Sequence, residues 1–199
     1  MRVPHSLSDS PPANMTSITN TVEPPTMQWI DIVKRYLSIS KSASLTITLS
    51  AGVRMDGGPV ACYVVRKKSD HRYEGGFVTM TQREADWFIK NVSETYEGTC
   101  EQTNYNQEVV RILRVKPLLT KHLLIEGKRG DKPWTRVQVP STELENFVRL
   151  LKESAQRFKA WSESKEYTIV RDKLQAAWDA YEKEKTAKLE EQLNEEEFD

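Results

Sequence analysis

The residues best suited by type to do chemistry are two glutamates, Glu84 and Glu143, which hold matching positions in two similar segments of the chain. Paired carboxylates are common tools of general acid and base catalysis. Glu84, however, follows Thr81 at the spacing of a helix-capping box, and Glu143 opens an equivalent amphipathic stretch. There a carboxylate serves backbone N–H groups rather than a substrate. Nothing completes a catalytic set around them. The chain contains no G-x-S-x-G, phosphate-binding loop, G-x-G-x-x-G, H-E-x-x-H or paired C-x-x-C. His5, His71 and His122 lack metal-ligand spacing, and Cys62 and Cys100 are too few for a disulfide framework. We therefore expect a protein that is not an enzyme and uses no cofactor or metal.

A second kind of chemistry is spelled by aromatic residues beside cations. One group comprises Tyr63, Arg66, Lys67, Lys68, Arg72, Tyr73 and Phe77, and the other Lys128, Arg129, Lys132, Trp134 and Arg136. Aromatic rings stack on bases and cations hold phosphates, so such a mixture suits sequence-tolerant binding of single strands. The charge distribution agrees with this. Residues 41–160 carry 20 Lys/Arg against 14 Asp/Glu, whereas residues 161–199 carry 6 against 12, in a chain of zero net charge. A plainer reading stands beside it: basic hairpins resist edge-to-edge aggregation, and Trp134 or Phe77 can pack beneath a helix or at a dimer interface.

The elements that must position these residues read as α+β. Residues 44–50 alternate apolar and small polar side chains, as a half-buried strand does. A turn at Asp56 to Pro59 leads to a strand over 60–68, with Cys62 in it, and a third strand spans 77–80. Thr81 then caps a helix whose Ala85, Phe88, Ile89 and Val92 form one stripe. The order recurs with strands at 108–116, 121–128 and 133–139, and a helix opened by Pro140 and Ser141 that faces Leu144, Phe147, Val148 and Leu151 inward. Laying 77–92 over 136–151 without a gap matches Val78 to Val137, Glu84 to Glu143 and Phe88 to Phe147. We read this as an internal repeat of antiparallel strands followed by a helix. Alternation turns Val78, Met80, Val137 and Val139 inward and leaves Phe77, Thr79, Trp134, Arg136 and Gln138 on an open face. Residues 27–40 suit a helix and a first strand equally, and Cys100 reads as a loop thiol.

The two segments RYEGGFVTMTQREADWFIKNV and KPWTRVQVPSTELENFVRLLKESA, each a hairpin, strand and helix with a basic or aromatic open face, resemble the Pur-alpha family of single-stranded DNA and RNA binders. More distantly the chain is similar to positive cofactor four and the Whirly proteins, although the Lys-Gly-Lys-Ala-Ala-Leu element of plant Whirly proteins is absent. The resemblance covers about residues 41 to 158. It implies a grooved sheet surface for unpaired bases and two helices that pack together.

The remaining segments complete the organisation. Residues 1–27, rich in Pro, Ser, Thr and Asn, read as a disordered tail ahead of a nucleic-acid-binding domain over 28–159. Residues 160–193 read as a long helix whose stripe of Val170, Leu174, Trp178 and Tyr181 needs a partner, so it folds back on the domain or pairs with a second chain, a homodimer or higher oligomer being the leading expectation. Residues 194–199 form an acidic tail with Phe198 inside it, a feature similar to single-strand-binding proteins whose tails occupy their own basic face or recruit a protein partner. No apolar run fits a secretory signal or membrane span, so an intracellular, nuclear or cytoplasmic protein is expected and the sequons at Asn14 and Asn91 carry no weight. The alternative function is a protein–protein adaptor or structural subunit assembled through the same sheet and helix.

Overall fold

The computed structural model describes residues 35–54, 56–68 and 76–196, with side chains through residue 191. The tail read over 1–27, the loop residues Arg72 and Tyr73, and Phe198 lie outside the described residues. Among the described residues are two four-stranded antiparallel meanders and three α-helices, an α+β arrangement. The first sheet is ordered β1 (Arg35–Lys41), β2 (Leu45–Val53), β3 (Pro59–Lys67) and β4 (Phe77–Thr81), and α1 (Gln82–Asn91) follows directly. The second is ordered β5 (Gly98–Thr103), β6 (Val109–Leu118), β7 (His122–Arg129) and β8 (Thr135–Pro140). A 3-10 turn at Ser141–Glu143 enters α2 (Leu144–Ser162), and α3 (Lys165–Glu196) ends the fold.

Each sheet thus has four strands where the pattern suggested three. The ambiguous segment before Lys41 supplies β1. The strand missed altogether is β5, and Cys100 is its one buried residue rather than a loop thiol. Burial raises the pKa of that thiol, and the nearby Glu84 charge adds to the effect.

Period-two alternation decides which face of each strand is buried. Leu45, Ile47 and Leu49 of β2, Tyr63 and Val65 of β3, and Val78 and Met80 of β4 face inward with 1% exposure or less. Leu113, Val115, Leu123, Ile125 and Val139 do the same in the second sheet, and both inner faces join one hydrophobic core. That shared core forces close approach where the sheets cross. A Cβ on Gly76 would lie 2.3 Å from the Arg136 carbonyl oxygen, and one on Gly127 would lie 2.8 Å from Val78 Cγ2. Glycine leaves room for a backbone carbonyl at the first point and for a valine side chain at the second.

The helices close the core by different routes. In α2, Leu144, Phe147, Leu151, Ser154, Phe158 and Trp161 are buried at alternating three- and four-residue steps, and this stripe crosses β1 and β2 of the other half of the chain. The first turns of α3 belong to the same core through Tyr167, Val170 and Leu174. Tyr167 donates a 2.5 Å hydrogen bond to the Gly57 carbonyl in the β2–β3 turn. Beyond Leu174 the helix leaves the body, with Ala177, Trp178 and Tyr181 half-buried and later described side chains exposed.

The two glutamates tie the halves together. Thr81 and Glu84 form the expected capping box, Thr81 N donating to Glu84 Oε2 at 2.7 Å and Glu84 N to Thr81 Oγ1 at 3.3 Å. The same carboxylate also receives Arg111 of β6, from Nε at 3.0 Å and Nη2 at 2.9 Å. Glu143 does not cap its helix. It instead accepts the Ser42 hydroxyl at 2.7 Å and the Ser44 backbone N–H at 3.1 Å, from the turn between β1 and β2.

Candidate nucleic-acid interface

Side chains that alternate away from the core make up the outer faces. On the second sheet, the strand register sets Arg114 opposite Glu126 and Glu126 opposite Arg136, a rung of alternating charge. Lys116 pairs with Leu124 one step along, and Lys128 with Ile112 in the other direction. Trp134, immediately before β8, lies at the end of this surface with 39% exposure, and Arg114 Cζ sits 4.9 Å from its ring centroid. Lys116 Nζ is 3.6 Å from Glu126 Oε2. Cations therefore outnumber carboxylates: Arg114, Lys116, Lys128 and Arg136 face Glu101 and Glu126.

The outer face of the first sheet has a different character. The hydroxyls Thr46, Thr48 and Ser50 occupy β2, with Tyr36 and Ile39 beside them on the edge strand β1 at 78% and 60% exposure. At its far side Arg66 pairs with Phe77 across β3 and β4, and Arg66 Cζ lies 5.4 Å from the Phe77 ring centroid. Each sheet thus offers an arginine over an aromatic ring, which holds the ring upright and keeps a cation where a phosphate would approach.

Several candidate residues fall elsewhere. Tyr63 is fully buried on the inner face, its hydroxyl bonded to Gln82, so it cannot touch a ligand; its parity with Val65 required this. Burial, reinforced by Asp86, raises its phenol pKa, as expected for a core tyrosine. Lys68 turns back to the Ser42 carbonyl and braces the β1–β2 turn. Lys67 and Arg129 end their strands with inward parity and emerge exposed at the sheet ends, and Lys132 is exposed in the β7–β8 turn. Arg66, Phe77, Lys128, Trp134 and Arg136 are the candidates that share outer faces.

Sequence reasoning missed Arg114, Lys116 and Glu126. The signal was available in Val109–Leu118, where Arg114 and Lys116 alternate with Leu113 and Val115. Among the described residues no group of His, Cys, Asp and Glu could hold a metal ion, and no helix is long and apolar enough to cross a membrane. No protein-family model matches the chain, and no curated protein matches it.

Proposed function

We propose that this chain binds single-stranded nucleic acid, DNA or RNA, on the outer faces of its two sheets. The observation that carries the reading is the Arg114–Trp134 stack at the end of a surface that also holds Arg136, Lys128 and Lys116. Such a surface gives a flexible strand a ring for its bases and cations for its phosphates. A duplex hides its base faces and gains only the electrostatic part.

The reading is supported by the order of elements, in which four antiparallel strands precede a helix twice over. We take the two units as a duplicated Pur-alpha-like or Whirly-like module, in keeping with the matched Val78 and Val137, Glu84 and Glu143, and Phe88 and Phe147. The acidic terminus would act as a competitor for the basic face or as a docking point for a partner protein. Self-association through α3 is part of the same proposal. The adaptor reading draws on a separate observation, the exposed Tyr36 and Ile39 on the edge strand β1, which suit a protein contact as well as a base.

Fluorescence anisotropy with a labelled oligonucleotide, as single strand and as duplex at two salt concentrations, separates the readings. A binder of this kind prefers the single strand and weakens steeply with salt. Absence of binding to either form at low salt leaves the adaptor.

A further inference from the structure

The turn between β5 and β6 carries an aromatic ring that the fold does not use. Tyr105 has 91% exposure, so it removes almost no apolar area from water and adds nothing to the core. The turn beneath it is nevertheless firmly held. Asn104 Oδ1 accepts the Asn106 N–H at 2.9 Å and the Glu108 N–H at 3.0 Å, and Asn104 Nδ2 donates to Glu108 Oε2 at 2.8 Å. Backbone bonds from Asn104 N to the Glu108 carbonyl at 3.0 Å and from Gln107 N to the Asn104 carbonyl at 3.1 Å close the turn, with Gln107 in the left-handed region at φ 63°. A ligand that meets this ring finds its backbone already ordered.

The other hairpin tip of the same sheet lies alongside. Arg111 pairs with Arg129 in the strand register and Gly130 N donates to the Val110 carbonyl at 2.9 Å, so the β5–β6 and β7–β8 tips share one end of the sheet. The β7–β8 tip exposes Arg129 and Lys132 beside Asp131, and Trp134 closes it. Among the described residues no carboxylate lies within ion-pair distance of Lys128, Arg129 or Lys132. These cations stand between two aromatic rings. With strands about 4.8 Å apart and a rise of about 3.3 Å per residue, Trp134 and Tyr105 are separated by roughly 15–20 Å, more than one base can bridge and a span for a short run of nucleotides.

We infer that Tyr105 is a second stacking platform and that the bound strand leaves the sheet face at Trp134 and crosses the cationic β7–β8 tip to the β5–β6 turn, an inference that rests on the proposed binding of single strands. Two rings with cations between them match a chain whose bases and phosphates alternate. The face of a phenol ring accepts any base, so this contact lengthens the site and adds no base preference. Glu108, the carboxylate of the same turn, is engaged by Asn104, and Arg129 and Lys132 outnumber Asp131 on the neighbouring tip. Phosphates therefore meet a net positive path between the rings.

The test uses the full chain and a labelled strand of about twelve thymines, within the usual site size of single-strand binders, at low salt. Tyr105→Ala should weaken binding about tenfold, as the loss of one stacked base does, with an unchanged melting temperature because the ring covers no core. Tyr105→Phe keeps the ring and loses only the hydroxyl, so it should bind within about twofold of the unaltered protein. Tyr105→Ala that binds as tightly as the unaltered protein overturns this inference and leaves the proposed function standing. So does Tyr105→Phe that is as weak as Tyr105→Ala, which would assign the contact to the hydroxyl, and so does a melting temperature that falls together with affinity. No binding of the strand by the unaltered protein overturns both.

Discussion

Phe88 and Phe147 meet edge to face, their ring centroids 5.4 Å apart and their planes at 87°. Both are fully buried, and they hold the same position when residues 77–92 are laid over 136–151. Contact between equivalent positions fits the proposed duplication, in which two copies would close on each other. The exchange extends outward, since Glu84 takes a guanidinium from the second sheet and Glu143 takes hydrogen bonds from the turn of the first. The outer faces depend on this inner closure, because it holds the two sheets as one body.

The Glu84–Arg111 pair should be a principal tie between the sheets. Glu84 has 1% side-chain exposure and Arg111 17%, and Arg111 also donates to the Thr79 carbonyl at 3.1 Å. Removing one member of such a pair leaves a buried charge, which costs about 3–5 kcal/mol. Arg111→Met should lower unfolding free energy by that order in urea titrations. A variant as stable as the parent would show that the pair does not tie the sheets.

Gly76 should tolerate no side chain. Its added Cβ would meet the Arg136 carbonyl oxygen, a backbone atom that cannot rotate away. Gly76→Ala should cost about 1–3 kcal/mol, the usual range for overpacking, and thermal unfolding would detect it. An unchanged melting temperature would mean that β4 and β8 separate more easily than their packing implies.

Glu143 sets one component of acid sensitivity. Burial pushes its carboxyl up, but hydrogen bonds from Ser42 and Ser44 and the nearby Lys68 charge outweigh this and hold its pKa below the ordinary value. A depressed folded-state pKa contributes stability that is fully present above the unfolded value of about 4.3, and that is lost as pH falls through the folded value. Glu143→Gln should therefore flatten that portion of the stability curve between pH 5 and the folded pKa, measured by urea unfolding in a pH series. An identical acid slope in both proteins would assign the sensitivity to other carboxylates.

The outer part of α3 should mediate self-association. Leu189 is exposed, and Trp178 lies beside Tyr181 with ring centroids 5.3 Å apart and planes tilted by 41°. Truncation at residue 160 would also remove Trp161, Tyr167 and Leu174 from the core, so the informative cut falls after Gln175. Light scattering should report an oligomer for the full chain and a smaller species for the truncated one. A monomeric full-length chain at micromolar concentration would contradict this.

Much of this architecture was legible because it is local. The capping box, the alternation in β2, β4 and β8, and the existence of α3 each follow from a few neighbouring residues, although the expected start of α3 at 160 falls inside α2, which runs to Ser162. The strand β5, Gly98–Thr103, was illegible because Cys100 is its one apolar residue and its pairing with β6 supplies the rest. Tyr63 was misplaced by grouping it with the cations that follow it, against the parity of its own strand. The role of Glu143 could not be read at all, because its partners Ser42 and Ser44 are about a hundred residues away. The charged rung of Arg114, Glu126 and Arg136 likewise exists only once the strand register is known.

Single-strand binding on the second sheet stands or falls with the affinity of Trp134→Ala for a labelled single-stranded oligonucleotide at low salt. Trp134 is partly exposed and stacked by Arg114, so its removal opens no core. Binding should weaken by about 1–3 kcal/mol, the loss of one stacked base, while the melting temperature stays nearly unchanged. Unchanged affinity in a folded variant, or a large fall in melting temperature that places Trp134 in packing, would contradict it.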